Sequence, residues 1–178
     1  MPEPEKFTLR LLGGLSLECS GAAQLPAGAR QRRRLTLLAL LAVAGERGMS
    51  RERIQAHLRP ESSADRARHA LDQLLYATRR DLGHDAIQSS ATDLRLDGSV
   101  VGPDLWAFDE AVRAGRWADV AALYGGPLLS GLHLVDSAEF EHWLDGERAR
   151  VDQAYHRALE TLASSAASRG DHADAVRW

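Results

Sequence analysis

Residues 62–83, SSADRARHALDQLLYATRRDLG, carry two stripes at helical spacing. Ala67, Ala70, Leu71, Leu74, Thr78 and Leu82 recur three or four positions apart and form the expected buried face. Arg66, His69, Gln73, Tyr76 and Arg80 recur at the same spacing on the opposite side. Ser62 followed by Asp65 is a capping-box-like start, with Asp in place of Glu, and Gly83 after Leu82 supplies a C-cap. The segment therefore predicts one amphipathic helix. Arg, His and Gln on an exposed helix face reach phosphates and base edges in a major groove, which makes this a candidate DNA recognition helix. A solvated face on a helical scaffold has the same pattern.

Upstream, Phe7, Leu9 and Leu11 alternate with Thr8 and Arg10, and Leu15, Leu17 and Cys19 resume the alternation after Gly13-Gly14. This predicts a small antiparallel sheet, with Gln24–Pro26 as a further short edge strand. Arg30 to Ala44 follows as a helix with Leu35, Leu38, Ala39, Leu41 and Ala42 on an apolar face. Arg30, Arg32, Arg33 and Arg34 crowd its first turn, where four cations oppose the helix dipole and an anionic partner relieves the conflict. The cluster is a phosphate-contact candidate, or a solvated face that tolerates the charge. Ser50 caps a short helix over 51–58 that ends before Pro60. Beyond Gly83, Ile87 to Leu96 alternates weakly and Asp97-Gly98 signals a hairpin. The order sheet, helix, short helix, long helix, hairpin is that of a winged helix-turn-helix, with Arg95 in the wing.

From Pro103 the pattern is helical throughout. Helices are expected over 104–114, 116–124 and 138–168. The segment Ala114-Gly115-Arg116-Trp117-Ala118-Asp119 is echoed 55 residues later by Arg169-Gly170-Asp171-His172-Ala173-Asp174, an offset longer than the roughly 34 residues of one tetratricopeptide unit, with the Gly- and Pro-containing stretch 125–137 absorbing part of the excess. All four tryptophans, Trp106, Trp117, Trp143 and Trp178, lie in this part and are expected to anchor helix packing. The chain ends at Trp178 inside a helical pattern, so a longer parent with further repeats is expected.

The totals fit a soluble, mainly α protein with a small β component. At 178 residues, with 44% hydrophobic and 26% charged content, one or two domains are the prior. A winged-helix domain over 1–100 and a helical domain over 101–178 are expected. Residues 1–100 carry 15 Lys and Arg against 12 Asp and Glu, a net +3, and residues 101–178 carry 7 against 13, a net −6. A basic front and an acidic back fit a nucleic-acid-facing part followed by a partner-facing part. No apolar run is long enough for a bilayer and no signal peptide is expected. The single cysteine, Cys19, cannot form an intrachain disulfide and reads as a small buried strand residue; a cytoplasmic setting follows.

The pieces LRLLGGLSLE, RRRLTLLALLAVAGERGMSRERI, DRARHALDQLLYATRRDLG, DLRLDG, PDLWAFDEAV, ALYGGPLLSGL and EFEHWLDGERARV, in this order and over nearly the whole chain, resemble the SARP-type bacterial regulators. Such proteins join an OmpR-like winged helix to a bacterial transcriptional activator domain of tetratricopeptide-like helices. The resemblance implies sequence-specific binding to duplex DNA, as dimers on direct-repeat promoter sites, and activation through RNA polymerase and its sigma factor. The expected DNA-facing residues are Arg30, Arg32, Arg33, Arg34, Arg51, Arg66, Arg68, His69, Gln73, Tyr76, Arg80 and Arg95. Three positions depart from the family pattern. Arg59 stands where Trp is common, and Asp72 and Ala77 stand where basic residues are common. Asp72 is positioned to pair with Arg68 at i, i+4 and to repel phosphate, so weaker and more salt-sensitive binding is expected. A helical interaction scaffold whose winged helix has lost DNA affinity is the alternative. No GxxxxGK[ST] motif occurs, so no nucleotide is expected. The seven histidines form no HExxH or Cys/His cluster and the serines no GxSxG elbow, so no metal, cofactor or enzymatic activity is expected.

Overall fold

The computed structural model describes residues 6–20, 27–58, 62–132 and 138–178. The expected strand at Gln24–Pro26 and the helix stop at Pro60 lie outside them. Strands β1 (Lys6–Arg10) and β2 (Ser16–Ser20) pair antiparallel, with Phe7 opposite Cys19 and Leu9 opposite Leu17. Phe7 and Leu9 are buried while Arg10 is exposed, which is the alternation the sequence shows. Cys19 is half-buried on β2.

Helix α1 (Arg32–Ala44) is buried without interruption from Thr36 to Ala42. A helix apolar all round sits inside a fold rather than on it, and α1 is the central post of the winged module. Its end turns through Gly45 and Gly48, both at positive φ. At Gly48 a Cβ would lie 2.5 Å from the Leu94 carbonyl oxygen, so only glycine lets the chain approach that closely. The turn delivers a two-residue strand, β3 (Met49–Ser50), which the sequence did not signal. Ser50 Oγ then accepts from Arg53 N at 3.2 Å and caps α2 (Arg51–Leu58), as expected.

Helix α3 (Ala64–Leu82) is the amphipathic helix, with two corrections. Its N-cap is Ser63, whose side chain makes no capping hydrogen bond, so the box expected from Ser62 and Asp65 does not form. Its buried stripe is Ala67, Leu71, Leu75, Thr78 and Leu82; Ala70 and Leu74 are only half-buried. Two neighbouring leucines satisfy the same spacing, and packing against α1 and α2 selects Leu75. Gly83 closes the helix at φ 100°.

The wing is β4 (Ile87–Ser89) with β5 (Asp93–Leu96), flanked by β3 in the order β3-β5-β4. Its turn is Ser90–Thr92, not Asp97-Gly98: Ser90 N donates to Asp93 O and Asp93 N donates to Ser90 Oγ, each at 2.9 Å. Asp97 instead accepts from Ser99 N and Ser99 Oγ at 2.8 and 2.6 Å, an Asx turn that redirects the chain. The redirected chain forms β6 (Val101–Pro103), parallel to β1 in a sheet of order β2-β1-β6.

Helices α4 (Asp104–Arg113), α5 (Trp117–Leu123), α6 (Ala138–Ser168) and α7 (His172–Arg177) complete the described chain. The sequence echo is a structural one. Gly115 N donates to Val112 O and Arg116 N to Ala111 O; Gly170 N donates to Ala167 O and Asp171 N to Ala166 O. Both are Schellman caps with a left-handed glycine, and each turns one helix back on its predecessor. One hydrophobic cluster runs from Phe7 and Leu9 through Leu38 and Leu105 to Phe140 and Leu144, across residue 100 without a break. Asp104 ties the halves further: its Oδ1 accepts from Leu11 N at 2.9 Å and its Oδ2 from Leu12 N at 3.2 Å. Burial nonetheless pushes the Asp104 carboxyl above its ordinary value, against these hydrogen bonds. Three of the tryptophans anchor packing. Trp106 Nε1 donates to Ala42 O at 2.7 Å, Trp143 stacks against the buried His57 ring at 6.3 Å, and Trp117 lies under the Arg157 guanidinium at 5.4 Å.

Candidate nucleic-acid interface

Helix α3 presents Arg66, His69, Gln73, Tyr76 and Arg80 on the side diametrically opposite its buried stripe, and all five are exposed. A 100° step per residue puts these side chains within a strip about 80° wide. Tyr76 is 71% exposed on this face. Gln73 Nε2 and His69 Nε2 lie 3.0 Å apart. The stripe expected from the sequence therefore forms one continuous face.

The flanks of this face differ. On one side Arg68, Asp72, Arg51 and Thr92 line a common cleft. Asp72 Oδ1 pairs with Arg51 Nη1 at 3.2 Å, not with Arg68 as expected. The start of α2 lies across from the middle of α3 and offers a better-aimed cation than the same helix does. Arg68 is exposed, and Arg51 is the cation that Asp72 draws on. On the other side a cleft of about 240 Å³ is floored by Ala67, Ala70, Leu71, Leu74 and Ala77 and bordered by Gln73, Gln31 and Arg33. Arg33 thus sits across this cleft from Gln73 of the exposed face. Arg30 and Arg32 are exposed at the approach to α1.

Arg34 is a correction. It is buried, 7% exposed, and its guanidinium is ion-paired with the equally buried Asp81 of α3. It is a structural tie between two helices and is withdrawn from solution. Its position explains why: Arg34 falls on the same face of α1 as Leu37, Leu38 and Leu41 and is carried inward with them. Asp81 also accepts from Arg80 Nε at 2.9 Å while Arg80 stays 62% exposed. The Arg80 hydrogen bond, joined by Arg34, holds the Asp81 carboxyl below the usual carboxylate range despite its burial. Arg80 is correspondingly held above its ordinary value.

Arg95 is exposed on β5 of the wing, opposite Gln88 on β4. The residue that joins the wing to α3 is one the sequence did not flag. Arg79 donates from Nε and Nη2 to Ile87 O at 3.2 and 2.8 Å, and from Nη2 to Ser89 Oγ at 2.6 Å. It lies off the phase of the exposed stripe, and that offset was the available signal. Among the described residues, no three His, Cys, Asp or Glu are grouped to hold a metal ion, and no helix is long and apolar enough to cross a membrane.

A central helix, a short helix, a long exposed helix and an antiparallel wing, followed by antiparallel helices, define a winged helix-turn-helix protein with a helical extension. No family model and no curated protein sequence matches the chain. Among solved structures it is similar to EmbR of Mycobacterium tuberculosis in complex with a low-affinity phosphopeptide, at 19% identity and a TM-score of 0.57 over 93% of this chain. The match takes in 49% of EmbR, so the chain spans about half the length of that protein. At this identity the likeness is one of fold.

Proposed function

We propose that this protein is a transcription regulator that reads duplex DNA with α3 in the major groove. The observation that carries the proposal is the exposed Arg66, His69, Gln73, Tyr76 and Arg80 face on the helix that a winged helix-turn-helix fold projects outward. Arg33 and Arg68 border clefts beside that face, Arg30 and Arg32 are exposed at the approach to α1 and Arg95 is exposed on the wing; these five are the phosphate contacts in this reading. Arg51 joins them once it leaves Asp72. The acidic helical part, with its SARP-like arrangement, supplies the surface for RNA polymerase or its sigma factor, and two copies occupy direct repeats in promoter DNA. Such a protein works in the cytoplasm as an activator.

The test is selection from a randomised duplex pool at low and moderate salt, followed by anisotropy titration of the enriched sites. Enrichment of a repeated sequence, with affinity falling steeply as salt rises, is the expected result. Binding to none of the pool at either salt would sink the proposal and favour the second reading, a helical scaffold with a degenerate winged helix. That reading draws on Arg34 and Arg51 being engaged in ion pairs and on the net charge of −3.

A further inference from the structure

We propose that His69 sets the orientation of the Gln73 amide and thereby makes adenine the base that Gln73 reads. The proposal rests on α3 entering the major groove. The two side chains are one turn apart on the exposed face, with Gln73 Nε2 directed at His69 Nε2 at 3.0 Å. In this arrangement Gln73 donates one amide N–H, His69 accepts through Nε2, and the ring proton sits on Nδ1. The outward edge of the amide then presents Oε1 beside its second N–H. Adenine offers the complement in the major groove, the N6 donor beside the N7 acceptor. Guanine offers two acceptors, O6 and N7, one of which would oppose the Oε1 lone pairs. Reversing the His69 contact reverses the code. A donor at position 69 draws Oε1 inward and turns the amide N–H groups outward, toward guanine O6 and N7. His69 is therefore a positioning residue that acts through Gln73.

The polarity of position 69 can be fixed by substitution. Glutamate accepts only and lysine donates only, and both replace an exposed side chain. Base preference is read by selection from a randomised duplex pool with the full chain. The parent protein is expected to enrich adenine at one position, and Gln73→Ala to lose that preference alone. His69→Glu keeps adenine, although its charge weakens binding to all sequences. His69→Lys shifts the adenine-to-guanine ratio at that position by about tenfold toward guanine. The shift disappears in His69→Lys combined with Gln73→Ala, which separates reorientation from direct contact by lysine. Unchanged adenine preference in His69→Lys, with a site still enriched, would overturn this inference and leave the groove reading standing. So would an enriched site in which Gln73→Ala alters no adenine. A parent protein that enriches no sequence would overturn both.

Discussion

Arg33 and Arg34 are neighbours with opposite roles, and the difference can be measured. Arg34→Ala leaves the Asp81 carboxylate buried with only Arg80 to hold it, and should destabilise the fold by about 3 kcal/mol in urea unfolding. Arg33→Ala should leave stability unchanged and lower the salt slope of DNA binding by about one. An Arg34→Ala protein as stable as the parent would show that the buried pair contributes nothing. Asp81 adds a pH dependence. Its folded carboxyl is held below the ordinary value, so its stabilisation is fully present above the unfolded pKa of about 4 and is lost as pH falls through the lower folded value. Asp81→Asn should flatten that acid-side loss, and an unchanged slope of stability against pH below 4 would count against it. Sequence alone exposed four clustered cations, Arg30 and Arg32 to Arg34, but not which one faces inward. Helical phase on α1 placed Arg34 with the leucines, and the long-range partner Asp81, 47 residues on, has no local signature.

At the scale of elements, the wing is coupled to α3 by Arg79 and the start of α2 by the Arg51–Asp72 pair. Arg79→Ala frees β4 from the helix, so the cost of Arg95→Ala for DNA affinity should shrink in its presence, a coupling of about 1 kcal/mol in a double-mutant cycle. Strict additivity would show that the wing stands without Arg79. Asp72→Ala removes a negative charge and releases Arg51; affinity should rise on all sequences alike and the salt slope should steepen by about one. A withheld Arg51 makes the parent's binding weaker but less salt-sensitive, not more so as the sequence suggests. Weaker binding in Asp72→Ala would mean that Asp72 holds Arg51 in its working position. Elements with strong periodicity were legible: α6 runs over the expected 138–168, and the echo at 114–119 and 169–174 is a repeated helix cap. The wing was legible only in part. Ser90–Thr92 carries no Asn-Gly or Asp-Gly pair, while Asp97-Gly98, which does, serves a turn between sheets. The exposed face of α3 was legible in full because its five residues share one phase.

At the scale of the molecule, no seam separates the winged module from the helices that follow. Val101 and Pro103 are buried in the first sheet, and Phe108 and Leu105 belong to the same core as Leu38 and Leu9. Residues 1–100 alone would lose β6 and expose that core, so the fragment should lack a sharp unfolding transition while the full chain melts in one step. A cooperatively folded 1–100 fragment would contradict this. The parallel pairing of β1 with β6 joins residues more than 90 apart and was beyond local pattern. Helix α6 is seated at its base, where Phe140 and Trp143 meet the His57 ring on α2 at 5.3 and 6.3 Å. It is 31 residues long, which is about 46 Å. Beyond that base Val151 and Ala158 keep α6 in the shared core and Arg150 Nη1 pairs with Asp109 of α4 at 2.7 Å. Helix α6 is thus a splint: it is braced along much of its length and stiffens the helices it lies against.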